Sequence, residues 1–147
     1  MKKFELTSET KINIFGKKLF RIKALISFGV VKTGETGGWV EKEENVNQSG
    51  NAWVFGNAEV FGNAMVSDNA MVSGNADYTT IHGFGTQFRT TTFFRCKDKQ
   101  VKVSCGCFYG TIPEFREQVK NTRKGKIAEE YLMIADLMEK HFAEEAK

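Results

Sequence analysis

The sequence predicts a mainly β protein built on a short parallel β-helix and finished by a helical C-terminus, and three observations carry that prediction. Residues 50–79 read GNAWVF GNAEVF GNAMVS DNAMVS GNADYT, five units with a strict period of six. Six residues are too few for a helical repeat but enough for one short strand and one tight turn, so each unit buries its apolar residues only by stacking on the next. From Ile112 onward the apolar residues instead recur at spacings of three and four, the period of an amphipathic helix.

Within each unit the turn falls at Gly-Asn, because both residues tolerate positive φ and Asn can also hydrogen-bond locally. The strand is Ala-x-Val, which sends Ala and Val to one face and the residue between them to the other. Val54, Val60, Val66 and Val72 are the expected inward column, with Tyr78 in the fifth unit. Five strict units make fewer than two coils at about three units per coil, so flanking segments or other subunits must cap them.

Ahead of the repeat, Phe4, Leu6, Ile12, Ile14 and Leu19 alternate with polar residues, and Gly16-Lys17 reads as a hairpin turn in a small β cap. Residues 28–40 are Gly-rich and predict an irregular first coil with a loop at 33–38. The step from Val46 to Val54 is longer than the repeat, so the register slips before the strict array begins. After it, residues 82–85 read as a loop. Residues 90–95 and 101–105 read as two strands of a hairpin around the polar turn Lys97-Asp98-Lys99-Gln100. Thr111-Ile112-Pro113-Glu114 carries an N-cap residue, Pro in the first turn and Glu three positions after the cap, so a helix should begin at Ile112 and end at Lys124-Gly125. A second helix, from about Lys126 to His141, completes a helical hairpin. The chain divides into residues 1–79, cap plus β-helix, and residues 80–147, β-hairpin plus helices.

The Ala-x-Val-x-Gly-Asn units resemble the hexapeptide repeats of left-handed parallel β-helices, best known from acyltransferases. They resemble still more closely the tandem GNAxVxGNA arrays of small phage and prophage proteins. Residues 18–25, residues 37–45 and Cys105-Gly106-Cys107-Phe108 are similar to flanks of the phage-type proteins and absent from the acyltransferases. The resemblance implies a short left-handed β-helix, a hexapeptide solenoid, with trimers as the first expected assembly and dimers as the second.

Composition narrows the class of protein. A chain of 147 residues suits one domain or two very small ones, and 21 basic against 18 acidic residues give a net charge of +3, ordinary for a soluble protein. That balance argues neither strongly for nor strongly against nucleic acid, which stands below a host protein or a small ligand as an expected partner. No apolar run is long enough to span a bilayer, and the first residues lack the apolar stretch of a secretory signal. Three cysteines suit a reducing compartment, so a cytoplasmic protein is expected.

Four groups of residues bear on function. Trp53, Phe55, Phe61, Met65 and Met71 occupy strand positions expected to face outward, and such an apolar patch must be covered by the chain's own termini, by another subunit or by a binding partner. Arg116, Lys120, Arg123, Lys124 and Lys126 cluster on the first helix and the turn after it, where they form either a solvated face or an anion site. His82 is the one candidate general base, weighed against an exposed loop histidine. Cys96, Cys105 and Cys107 are the candidate zinc ligands, weighed against buried thiols, because Cys105-x-Cys107 has a strand's period and lacks the spacing of a zinc knuckle. No glycine-rich phosphate loop is present, since the glycines follow the repeat, and no cofactor is implied.

The leading expectation is a non-enzymatic, oligomeric binding protein of phage type that inhibits a host defence system, by gripping a host protein or by sequestering a small ligand. The alternatives are a hexapeptide-type acyltransferase acting on a sugar or amine, and a phage assembly component.

Overall fold

In a computed structural model, which describes residues 2–74, 77–86, 89–105 and 108–143, the chain forms three separate sheets and two C-terminal helices. The first sheet joins β1 (Phe4–Ile12), β2 (Lys18–Ala24), β3 (Thr36–Val40) and the two-residue β5 (Glu59–Val60). A second pairs β4 (Trp53–Val54) with β6 (Met71–Val72). The third is antiparallel throughout, in the order β10 (Phe108–Thr111), β9 (Val101–Cys105), β8 (Arg89–Arg95), β7 (Tyr78–Phe84). Helices α1 (Ile112–Thr122) and α2 (Gly125–Phe142) follow.

This architecture corrects the expected left-handed parallel β-helix. Among the described residues every long strand pairs antiparallel, and parallel pairing is confined to Trp39–Val40 with Glu59–Val60, Trp53–Val54 with Met71–Val72, and the Val46–Val66 bridge. The physical reason lies in the arms, which each supply only two ladder residues before a turn intervenes, too little to build a solenoid. The longer flanks, with alternating patterns and tight turns, form the antiparallel sheets instead. Two local expectations change with it. Residues 82–84 lie on β7 and not in a loop, and the predicted loop at 33–38 gives way to β3 from Thr36. Gly37 and Gly38 suit that strand because a Cβ on Gly37 would stand 2.6 Å from Cζ2 of Trp53, and one on Gly38 2.7 Å from the Ala58 carbonyl oxygen.

The valines face inward. Val40, Val46, Val54, Val60, Val66 and Val72 are all within 1% of complete burial, and each contributes on the order of 1.5–3 kcal/mol by leaving water. The turns between them open on Gly50, Gly56 and Gly62 with φ of 76°, 58° and 68°. Asp68 takes the same conformation, φ 57°, with its carboxylate paired to Lys102. Trp53 N–H donates to the Ala70 carbonyl at 3.1 Å and Phe55 N–H to that of Val72 at 2.8 Å, so the first arm bonds to the fourth.

Two buried polar side chains close this core. Asn45 Oδ1 accepts from the Glu41 and Lys42 amides at 3.1 and 2.9 Å, while its Nδ2 donates to the Gly62 and Ala64 carbonyls at 3.1 and 2.8 Å. Lys3, 1% exposed, donates from Nζ to the Ala52 carbonyl at 2.8 Å and lies 4.6 Å from the centre of the Phe28 ring. Burial lowers the Lys3 ammonium to about 8 from an ordinary 10.5.

The C-terminal half follows its sequence signals closely. Thr111 caps α1 by accepting from the Glu114 amide, and the Glu114 side chain accepts from the Thr111 amide in return. Gly125, φ 62°, marks the break between the helices. Ile112, Phe115 and Val119 of α1 and Tyr131, Ile134, Ala135, Met138 and Phe142 of α2 bury against β8 and β9 through Phe93 and Val103.

Asn45→Asp replaces two donors with acceptors opposite two buried carbonyls, and thermal unfolding should show a loss of about 3 kcal/mol or more. A melting temperature equal to wild type would remove Asn45 from the role given to it. The pH dependence of stability follows from three buried groups. Between pH 8 and 9 the native state holds fewer protons than the unfolded chain, because Lys3 is released early, so stability rises. From pH 9 burial keeps the Cys96 thiol protonated up to about 12 in the native state only, which offsets Lys3 and levels the curve; above pH 10, where the Tyr78 phenol is likewise held protonated up to about 12 and the Lys3 difference fades, stability falls. Lys3→Met should abolish the rise between pH 8 and 9 in a series of thermal melts.

Candidate functional site

A cavity of about 480 Å³ opens between the third sheet and the helices, and every wall of it comes from the C-terminal half. Strand β8 contributes Arg89, β9 Cys105, β10 Phe108 and Tyr109, α1 Phe115 through Thr122, the inter-helix turn Arg123, and α2 Tyr131. The local sequence explains the placement. Antiparallel registry sets Thr91 opposite Cys105, and the short connection after the capped α1 delivers Arg123 to the mouth of the cleft.

The floor is aromatic. Phe115 meets Phe93 edge-on at 6.1 Å between ring centres, Tyr131 edge-on at 5.8 Å and Phe108 at 5.8 Å with the rings tilted by 54°. Such contacts hold the rings in place as well as burying them. Above this floor Thr91 Oγ1 donates to Cys105 Sγ at 3.2 Å. Burial pushes the Tyr131 phenol up and the neighbouring Cys105 adds to this, while Arg123, Arg89 and Thr91 oppose it. Arg89, Arg123 and Tyr131 all line the same cleft. Among the described residues that line the cleft, two are cations and none is a carboxylate.

The residues singled out from the sequence scatter over the molecule. Trp53 is fully buried, edge-on to Phe4 at 5.9 Å and Phe28 at 5.3 Å, beneath the N-terminal strands. Phe55, Phe61, Met65 and Met71 are partly buried; Phe61 lies against Phe15, and Met65 donates its amide to Thr92 Oγ1. His82 is exposed on β7, with Nδ1 3.1 Å from Thr90 Oγ1, and faces a different, shallower groove with Asn63 and Met65. Within the basic cluster, Arg116 is tied to Asp136 at 2.8 Å and Glu139 at 3.2 Å, Lys120, Lys124 and Lys126 are exposed, and Arg123 alone lines the cleft. Cys96 lies buried in the repeat's core and Cys105 beside the cleft, so the two are not brought together; Cys107 lies outside the described residues. Among the described residues no cluster of three or more histidines, cysteines or carboxylates could hold a metal ion.

Arg89 and Tyr109 carry no periodic signal and are missed by sequence reasoning. Phe115 and Tyr131 are read there only as core stripe. A usable hint was present in Arg123, a cation in a short turn between two helices whose apolar stripes carry Phe115 and Tyr131. No protein-family model matches the chain and no curated protein matches it, so the site is defined by its geometry. No helix among the described residues is long and apolar enough to cross a membrane.

Gly85 seats the Tyr131 hydroxyl. Its φ is 80°, and an added Cβ would lie 2.6 Å from that oxygen. Gly83, φ 95°, has open space at the same position. Gly83→Ala should therefore cost only the backbone strain of about 1–2 kcal/mol, whereas Gly85→Ala should cost measurably more and shift the tyrosine fluorescence. Equal losses in chemical denaturation would show that Tyr131 does not rest on Gly85.

Proposed function

We propose that the protein binds a small organic anion in the cleft between the third sheet and the helices. The observation that carries this reading is the pairing of two guanidiniums, Arg89 and Arg123, with an aromatic floor and no lining carboxylate among the described residues. A volume of about 480 Å³ is suited to a metabolite-sized ligand and not to a single ion. Guanidinium groups stay charged and present their donors in a planar fork, which matches phosphate or carboxylate oxygens in pairs. The raised phenol of Tyr131 stays protonated at neutral pH and can donate a further hydrogen bond.

These groups bind and orient but do not carry protons near neutral pH, which favours a binder over an enzyme. The likeness of the repeat to phage-type proteins supplies a biological use for such a binder: holding a small host signal out of circulation and thereby inhibiting a host defence. In that use the repeat is a rigid support, and the helical end does the binding.

Inorganic phosphate and pyrophosphate are suitable probes, read by calorimetric titration and by the rise in melting temperature. Arg123→Gln should weaken binding by about 10-fold or more, the loss expected for one charge-assisted hydrogen bond of roughly 1.5–3 kcal/mol. Lys120→Gln, which alters the exposed face of α1, should leave it unchanged. Equal affinity for wild type and Arg123→Gln would overturn the assignment of the cleft.

A further inference from the structure

Helix α2 keeps one face without cover. Its residues Tyr131, Ile134, Ala135, Met138 and Phe142 bury against the third sheet, and Asp136 and Glu139 lean toward α1, where Arg116 holds both. The opposite face carries Met133 and Leu137, 69% and 56% exposed. They stand one turn apart and form a single apolar ridge along the helix. Charged and polar groups border that ridge in a definite order. Counted at about 100° per residue, Glu129 and Lys140 fall along one edge of it and Glu130 and His141 along the other. Among the described residues Glu129, Glu130 and Lys140 make no ion pair, in contrast to the carboxylates on the α1 side.

We propose that this face pairs with the same face of a second copy, α2 against α2 and antiparallel, in a two-fold symmetric dimer. The helix is self-complementary about its midpoint. A two-fold axis across the helices, level with Ala135, sets Met133 of each copy opposite the partner's Leu137, because the two residues are equally far from that point. The same operation sets Glu129 opposite the partner's Lys140 and Glu130 opposite the partner's His141. It keeps each edge of the ridge with its own counterpart, so a carboxylate meets a basic side chain on both. A parallel pairing would place Glu129 on Glu129 and Lys140 on Lys140, and like charges oppose it. Within one chain Glu129 and Lys140 are about 16 Å apart along the helix axis, too far to satisfy each other. An apolar ridge rimmed by matched charges is the anatomy of a protein interface. The exposed apolar group at the first hairpin, Ile12, Ile14 and Phe15, lacks this property: residues 11–18 hold three lysines and no carboxylate, so two copies of it repel. The dimer is independent of the anion-binding reading, since Tyr131, the α2 residue that lines the cleft, lies on the buried side of the helix.

The test is sedimentation velocity of the full chain over a range of concentrations. One helix against one helix is a small contact, so a monomer–dimer equilibrium with a dissociation constant on the order of micromolar is expected. Met133→Glu should weaken the dimer at least tenfold, about the effect of placing two carboxylates in the apolar centre. Lys140→Glu sets like charges opposite each other twice and should weaken it by about tenfold. Adding Glu129→Lys to Lys140→Glu restores both pairs only across the two-fold axis, and affinity should return to within about threefold of wild type. Ile14→Ser, at the hairpin, should change nothing. All four positions are exposed, and unchanged circular dichroism and melting temperature will show that each variant folds. A chain that stays monomeric at every concentration overturns the proposal, and so does a trimer. A dimer that survives Met133→Glu, that is lost in Ile14→Ser, or that is as weak in the double variant as in Lys140→Glu alone, overturns the antiparallel α2 pairing.

Discussion

The structure depends on how little backbone each repeat unit can offer. An Ala-x-Val arm supplies two ladder residues, and a two-residue ladder is far too weak to hold a column of valines together in water. What makes the column viable is that its open sides are closed by other parts of the chain. The N-terminal sheet lies over Trp53 through Phe4 and Phe28, Asn45 meets the carbonyls that the arms leave unpaired, and Lys3 does the same at the Ala52 end. Burial of an amine and an amide inside an apolar core is tolerable because Asn45 makes four hydrogen bonds and the Lys3 amine donates to the Gly50 and Ala52 carbonyls and meets the Phe28 ring.

Strand β8 transmits this support to the helical end. Successive residues Phe93 and Phe94 point to opposite faces, so Phe94 joins the core of the repeat while Phe93 joins the core beneath the helices. One strand is thus a shared wall. The cleft floor, centred on Phe115, rests on Phe93 and so on the repeat behind it. A rigid floor matters for recognition because a ligand that meets preset rings and guanidiniums loses less free energy to ordering the protein.

Arginine placement shows the same economy. Arg21 lies over the Trp39 ring and donates to the Gly37 and Gly56 carbonyls, Arg95 pairs with Asp77 and lies over Phe142, and Arg116 bridges α1 to two carboxylates of α2. These three are parts of the fold. Arg89 and Arg123 line the cleft, one from the start of β8 and the other from the turn between the helices.

Sequence by itself determined what depends on neighbours a few residues apart. The Gly turns at positive φ, the inward valines, the hairpin turn at Gly16, the capping box at Thr111 and the two helices are all local, because φ preference, strand alternation and helix capping act over one to four residues. A six-residue period, however, states only that units are alike and not how many suffice to close a coil, so the expected β-helix yielded to three sheets, mostly antiparallel. The same limit hid the cleft. Arg89, Cys105, Tyr109, Arg123 and Tyr131 lie far apart in the chain and meet only because β8 to β10 and the helical hairpin close on one another. That closure is driven by burying Phe93, Phe115 and Tyr131 together, a long-range packing choice with no period along the sequence.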